Sequence, residues 1–124
     1  MIKWTLFFFA GGAGTLARFF LSSFIARMSG GKFPYGTLAV NLLGCFIIGA
    51  LMTLTETKLQ FSQNVRLWLM AGFVGAFTTF STFILETFNL AQDGRFFLAL
   101  SNILVSVVVG FVLFYIGAQT AKLI

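Results

Sequence analysis

The chain is poor in the residues on which most enzymes and soluble domains depend. It contains no histidine, one cysteine and only three acidic residues among its 124. This inventory excludes a zinc site, a histidine-based catalytic triad, an intrachain disulfide and most acid–base chemistry, so we do not expect an enzyme. Charged residues make up 9% of the chain, whereas a soluble domain has about 25%. The chain therefore has too little charge for a soluble globular domain.

Long apolar stretches take the place of charge. Three runs carry no charged residue, namely Phe33–Thr55, Leu67–Leu85 and Phe96–Ala121, and a fourth forms near the N-terminus if Arg18 is tolerated within it. A membrane-spanning helix needs ~20 mostly apolar residues. The pattern predicts an all-α membrane protein with a single transmembrane domain over residues 1–124. Its four spans are expected at about 4–27, 34–57, 65–91 and 95–121. The N-terminal stretch resembles a signal peptide in outline, but apolar sequence resumes after Arg18, which favours a retained helix.

Basic residues near the ends of the spans are divided almost evenly between the two sides of the membrane. With four spans, one side holds the N-terminus, the middle connection and the C-terminus, and it carries Lys3, Lys58, Arg66 and Lys122. The other side carries Arg27, Lys32 and Arg95. Because lysine and arginine normally concentrate on the cytoplasmic side, this balance fits two interpretations. The chain has either a weakly specified single orientation, or it inserts both ways and pairs antiparallel. The net charge of +5 likewise fits helix ends beside anionic lipid or a field that attracts anions.

Polar residues recur at helical spacing inside the second and fourth spans. Thr37 and Asn41 are four residues apart on a face that continues to Gly44, and Asn102 and Ser106 are four apart in the last span. Polar groups are costly at membrane depth and face a partner, water or a ligand. They are expected either to join helices by hydrogen bonds or to line a pathway.

The third span contains the least ordinary segment. Four of the five residues in Thr78–Thr82 are serine or threonine, and Gly75 precedes them. Hydroxyl side chains compete for backbone hydrogen bonds, so a break near Gly75–Thr79 is predicted, with a continuous helix as the alternative. Broken membrane helices commonly bind ions. Phe80 and Phe83 lie one turn apart, and an aromatic ring edge carries positive partial charge that suits a small anion, although ordinary aromatic packing is the commoner role.

These segments resemble the fluoride channels of the Fluc/CrcB family along essentially the whole chain. Gly36–Gly44, followed by Gly49, looks like the signature of the second helix in that family. Gly72–Phe83 with Glu86 looks like the signature of the third. The first helix (Gly11–Gly14 with Arg18) and the fourth (Ser106 with Gly110) are similar as well.

The resemblance implies a passive, fluoride-selective channel that exports cytoplasmic fluoride and relieves its toxicity. It implies an antiparallel, dual-topology homodimer, multi-pass in the bacterial inner membrane, with the lipid bilayer and fluoride as partners and no nucleic acid. By position, the fluoride pathway would be lined by Phe80, Phe83, Asn41, Thr37, Glu86 and Ser106, with Arg18 in a vestibule. The backbone carbonyls of Gly75 and Thr78 would hold a structural Na⁺ at the dimer centre.

Some positions depart from the commonest family pattern. Ala76 occupies a position that is often glycine, and its methyl group could tighten the break. Asn102 stands where many members have tyrosine or asparagine, and the resemblance leaves its role in the pathway open.

Two other classes compete with the channel interpretation. A small multidrug-type exporter has four spans and a similar length, but it needs a carboxylate in the first span. That span here carries Arg18 and no acid, and the only carboxylate within a span is Glu86. A non-transporting assembly subunit would use the polar faces for helix packing alone, which leaves the paired phenylalanines and the hydroxyl cluster without a purpose.

Overall fold

A computed structural model describes residues 2–57 and 61–123 of the chain, and these residues form helices and short turns. Lys58, one of the basic residues counted above, lies outside the described residues. Four helical units are long and apolar enough to cross a membrane. The expected four-helix, all-α membrane architecture is thereby confirmed. The elements are α1 (Ile2–Ser29), α2 (Tyr35–Thr57), α3 (Gln63–Arg66), a π-helical segment (Leu67–Val74), α4 (Gly75–Phe77), α5 (Phe80–Gln92) and α6 (Phe96–Leu123).

The third span is interrupted, as the sequence predicts. Thr78 (φ −85°, ψ 160°) and Thr79 (φ −148°, ψ 122°) are extended and separate α4 from α5. Gly75 itself remains helical (φ −61°, ψ −35°), so the interruption falls on the hydroxyl residues rather than on the glycine. The π-helical winding of Leu67–Val74 just before the break was not predicted. π-Helical turns are rare in proteins, and those that do occur often lie at functional sites.

The most extensive helix pairing joins α2 to α6 through two glycines. A Cβ at Gly49 would lie 2.1 Å from the carbonyl oxygen of Phe114, and one at Gly117 would lie 2.1 Å from that of Phe46. Each glycine therefore admits the backbone of the other helix. Lipid provides no hydrophobic drive for helix association, so such close packing is what stabilises the pair.

The first helix packs just as closely against the third span. A Cβ at Gly14 would stand 2.2 Å from the carbonyl oxygen of Phe73, at the end of the π-helical segment. A second close approach joins α2 to α1, where a Cβ at Gly36 would stand 2.3 Å from the carbonyl oxygen of Ser22. These two contacts bring α1, α2 and the region of the break together.

The distribution of side chains is that of a protein in lipid. Large aromatic side chains such as Phe8, Phe97 and Phe111 are exposed on the surface of the single chain. The largest fully buried side chains are only Val40, Val74 and Asn102. Apart from a few larger side chains such as Phe77 and Phe83, small and polar groups fill the interior, where they allow close approach and interhelical hydrogen bonds.

We expect Gly49→Ala to destabilise the protein, because the added methyl group would push against backbone rather than against a flexible side chain. Overpacking of this kind costs about 1–3 kcal/mol. The measurement is thermal unfolding in detergent, with Gly12→Ala as the matched control, since a Cβ at Gly12 meets nothing within 4 Å. Equal midpoints for the two variants would contradict the packing described for α2 and α6.

Candidate functional site

The break is held by a paired hydrogen bond between the second and third spans. The amide Nδ2 of Asn41 donates to the carbonyl oxygen of Thr79 at 2.9 Å, and the backbone N–H of Thr79 donates to Oδ1 of Asn41 at 2.8 Å. The side chain of Asn41 thus pairs with the backbone of Thr79 in the way that a neighbouring β-strand would. An asparagine amide has two N–H donors, so one donor remains for another partner.

Hydroxyl groups satisfy further backbone atoms on both sides of the break. The Oγ1 of Thr79 accepts a hydrogen bond from the N–H of Thr82 at 3.3 Å and donates to its Oγ1 at 3.1 Å, so Thr79 caps α5. Both the N–H and the Oγ1 of Thr78 donate to the carbonyl oxygen of Val74, at 3.1 and 3.2 Å. The serine and threonine cluster noted in the sequence therefore supports the break locally.

The two phenylalanines contact one another but differ in exposure. Their ring centroids are 5.8 Å apart with planes inclined at 46°. Phe83 is buried, with 8% of its surface accessible, whereas Phe80 is 75% exposed in the single chain. Phe80 lies at the edge of a groove that carries the polar groups of the break. The groove is lined by Asn41, Gly44, Cys45, Ile48, Val74, Gly75, Thr78, Thr79 and Phe80.

A second cavity lies between the first, second and third spans and contains the charged residues of the predicted site. Within it, Thr37 donates to Oε1 of Glu86 at 2.8 Å. The other carboxylate oxygen, Oε2, is buried without a hydrogen-bond partner. Arg18 lines the same cavity, and its Nε donates to the carbonyl oxygen of Ala76 at 3.2 Å. The cavity therefore places one positive and one negative side chain beside several hydroxyls.

The fourth span contributes two polar side chains in different ways. The Oγ of Ser106 is buried without a hydrogen-bond partner, one turn before Gly110, which packs against Cys45 of α2. Asn102 is almost fully buried and donates to Oγ1 of Thr87 at 2.8 Å. Thr87 in turn donates to the carbonyl oxygen of Phe83 at 2.7 Å. Asn102 thus joins α6 to α5 and does not line either the groove or the second cavity.

Seven of the nine predicted site residues line these two places, whereas Phe83 and Ser106 line neither. Asn41, Phe80, Gly75 and Thr78 share the groove, while Arg18, Thr37 and Glu86 share the second cavity. Phe83 reaches the groove only through its contact with Phe80. Four hydroxyl residues that also line the second cavity were not predicted as site residues, namely Thr15, Ser22, Ser23 and Thr82. The three on α1 could have been found only from their helical spacing with Arg18.

Side-chain chemistry at the site favours an anion over a divalent metal. Among the residues that the structure describes, no group of three histidine, cysteine or acidic side chains could hold a metal ion. Any cation at the break would instead meet backbone carbonyl oxygens. The remaining N–H of Asn41 and the aromatic ring edges are neutral donors, which suit a small anion.

Comparison with known proteins agrees with this chemistry. Residues 5–118 match the model of the CrcB-like protein family, described as Camphor Resistance (CrcB). A protein of Citrifermentans bemidjiense is 45% identical over 90% of each chain, and one of Solibacter usitatus is 42% identical over 98% of this chain and 99% of its own. A protein of Geobacter sulfurreducens is 45% identical over 90% of each chain. All three are named fluoride-specific ion channels. The chain belongs to the CrcB family.

We expect Asn41→Leu to loosen the break, because leucine has a similar size but makes neither bond to Thr79. A buried backbone group left without its partner costs about 1–3 kcal/mol, so local opening should become roughly ten- to hundredfold more frequent. The measurement is hydrogen–deuterium exchange of the peptide that contains Thr79. Asn64→Leu is the matched control, because Asn64 is exposed on α3. Unchanged exchange in Asn41→Leu would show that the pair does not hold the break.

Proposed function

We propose that this CrcB-family chain is a passive, fluoride-selective channel that lets cytoplasmic fluoride leave the cell. The observation that carries the proposal is the groove at the break, where Asn41, Thr79 and Phe80 meet at membrane depth. Its polar groups are neutral, so an anion can enter without a fixed countercharge that would trap it. The relatives named above are ion channels rather than enzymes, which supports the same interpretation.

The groups at the site can replace part of the water that fluoride loses. Asn41 keeps one N–H after bonding Thr79, and the ring edges of Phe80 and Phe83 carry positive partial charge. Glu86 would repel an anion, but one of its oxygens is engaged by Thr37 and Arg18 brings a positive charge into the same cavity. The pathway thus offers weak, successive interactions that allow the ion both to enter and to leave.

A single copy leaves this groove open on one side, and we infer that a second copy covers it. Exposed backbone and polar side chains are not tolerated against lipid and persist only inside protein or facing a water-filled cavity. Thr78 and Thr79 are partly accessible and Phe80 is mostly exposed in the single chain. The nearly even division of basic residues supports an antiparallel arrangement of the two copies. The bacterial inner membrane is the proposed location of the dimer.

The small multidrug-type exporter is the second candidate, and the position of Glu86 weighs against it. Such an exporter needs an ionisable carboxylate in its first span. Here the first span contributes Arg18 to the cavity, and the carboxylate comes from α5 with Thr37 bonded to it.

A structural Na⁺ at the centre of the dimer is part of the same proposal. Gly75 and Thr78 line the groove at the point where α4 ends and the regular helical hydrogen-bond pattern stops. Carbonyl oxygens are hard ligands, and the C-terminal ends of broken helices suit Na⁺. One chain supplies too few oxygens for such an ion, so the site needs the equivalent carbonyls of a second copy. The ion would join the two copies at the break.

The experiment that tests the function is fluoride efflux from liposomes that contain the purified protein. Fluoride should leave down its gradient, and chloride far more slowly. Phe80→Ile should lower the fluoride rate by roughly ten- to hundredfold, the effect of losing an interaction of about 1.5–3 kcal/mol with a charged partner on the barrier.

Phe8→Leu is the matched control for this variant. Phe8 and Phe80 are equally exposed in the single chain, at 75%, but Phe8 lies on α1 and does not line the groove that contains Asn41 and Phe80. Its replacement should leave the fluoride rate close to that of the parent. Equal rates for fluoride and chloride would refute selectivity, and parent-like flux in Phe80→Ile would refute the pathway.

Dual topology predicts that about half of the copies expose any one loop to each side of the membrane. Gln92 is exposed at the end of α5, so Gln92→Cys in a Cys45→Ala background provides a single accessible thiol. An impermeant thiol reagent applied to intact cells should label about half of the protein, and all of it after permeabilisation. Labelling of all copies or of none in intact cells would establish a single orientation.

A further inference from the structure

We propose that Arg18 is a positioning residue whose guanidinium caps the first half of the broken third span. Its Nε donates to the carbonyl oxygen of Ala76 at 3.2 Å, although the two residues are 58 apart in sequence. This bond fixes the end of α4 and therefore the place at which the chain turns into the extended residues Thr78 and Thr79. A vestibule charge that attracts anions would need no such contact.

The carbonyl of Ala76 needs a donor because of the break itself. In a continuous helix it would accept from the N–H of Phe80, four residues on. The extended conformations of Thr78 and Thr79 interrupt that pattern. The last carbonyls of a helix carry partial negative charge, and lipid provides no water to satisfy them. A cationic donor is well suited to this position.

The packing of α1 brings Arg18 to this carbonyl. Gly14 lies one turn before Arg18, and a Cβ on it would stand 2.2 Å from the carbonyl oxygen of Phe73 and 3.1 Å from the N–H nitrogen of Phe77. The backbone of α1 therefore touches the segment that ends at the break. One further turn of α1 places the partly buried Arg18 beside Ala76.

The capped segment is also the segment that carries the groove. Ala76 is followed within four residues by Thr78, Thr79 and Phe80, all of which line it. Asn41 holds this segment from the second span, and Arg18 holds it from the first. Two spans thus fix the break from separate directions.

Two substitutions separate the donor from the charge. In glutamine the amide nitrogen follows the same number of bonds from Cα as Nε of arginine, so Arg18→Gln retains a donor at that position without charge. Lysine has a methylene group at that position and its ammonium one atom further, so Arg18→Lys retains the charge and displaces the donor by one atom. Arg18→Met lacks both. Arg27, exposed in the last turn of α1, provides the control Arg27→Lys.

The primary measurement is hydrogen–deuterium exchange of the peptide that spans residues 74–82, on variants that remain monodisperse in detergent. We expect Arg18→Gln and Arg27→Lys to match the parent. Arg18→Met should open roughly ten- to hundredfold more often, the effect of losing a hydrogen bond to a charged donor. Arg18→Lys, whose donor is displaced by one atom, should exchange no faster than Arg18→Met.

Fluoride efflux adds a concentration dependence that a purely structural role of Arg18 would not produce. Of the two experiments, only this one rests on the proposed function. Loss of charge should weaken the attraction for fluoride, so the deficit of Arg18→Gln should diminish as the fluoride concentration is raised. Loss of the cap should lower the maximal rate, so the deficit of Arg18→Met should persist at every concentration.

Parent-like exchange in Arg18→Met, or exchange in Arg18→Gln as fast as in Arg18→Met, would overturn the proposal and leave Arg18 a charge alone. A parent protein that releases no fluoride would refute the proposed function, while the exchange comparison would still decide the role of Arg18.

Discussion

The structure depends on one constraint, which is that a bilayer offers no hydrogen bonds to backbone atoms released by a broken helix. Two extended residues, Thr78 and Thr79, interrupt the third span near its middle. Each backbone group exposed there has to find a partner in the protein. The amide of Asn41 donates to the carbonyl oxygen of Thr79, and the hydroxyl of Thr79 caps the start of α5. The guanidinium of Arg18 donates to a carbonyl oxygen at the end of α4. The polar residues of three spans are arranged around this one defect.

The glycine contacts follow from the same constraint. A side chain as short as asparagine bridges two spans only if their backbones come close. Gly14 brings α1 against the end of the π-helical segment, and Gly36 brings α2 against α1. Gly49 and Gly117 in turn fix α2 against α6. Small residues therefore do more than allow association in lipid, because they set the distances over which the polar side chains reach the break.

The fold was predictable from the sequence to the extent that single segments determine it. Charge-free runs indicated four spans, and the hydroxyl cluster after Gly75 indicated the break. The pairing of Asn41 with Thr79, the bond from Arg18 to Ala76 and the link from Asn102 to Thr87 were not predictable, because each depends on how two distant segments meet. The π-helical segment has no composition that sets it apart from an α-helix, and its contact with α1 at Gly14 is a tertiary feature. Asn41 was expected as a donor to an anion, yet half of its donors are committed to the backbone.

This division of Asn41 connects folding with conduction. One amide hydrogen holds the break, and the other is left for a ligand in the groove. The wider site shows the same connection, since the interruption that creates capped helix ends also leaves Phe80 exposed and Thr78 and Thr79 partly accessible. A membrane protein retains such a defect only if the exposed groups face protein or water. In our proposal the second copy provides that cover, and the polar surface that it encloses becomes the route for the anion. On that proposal, the groups that a single chain leaves partly exposed at the break are the groups that give the pair its function.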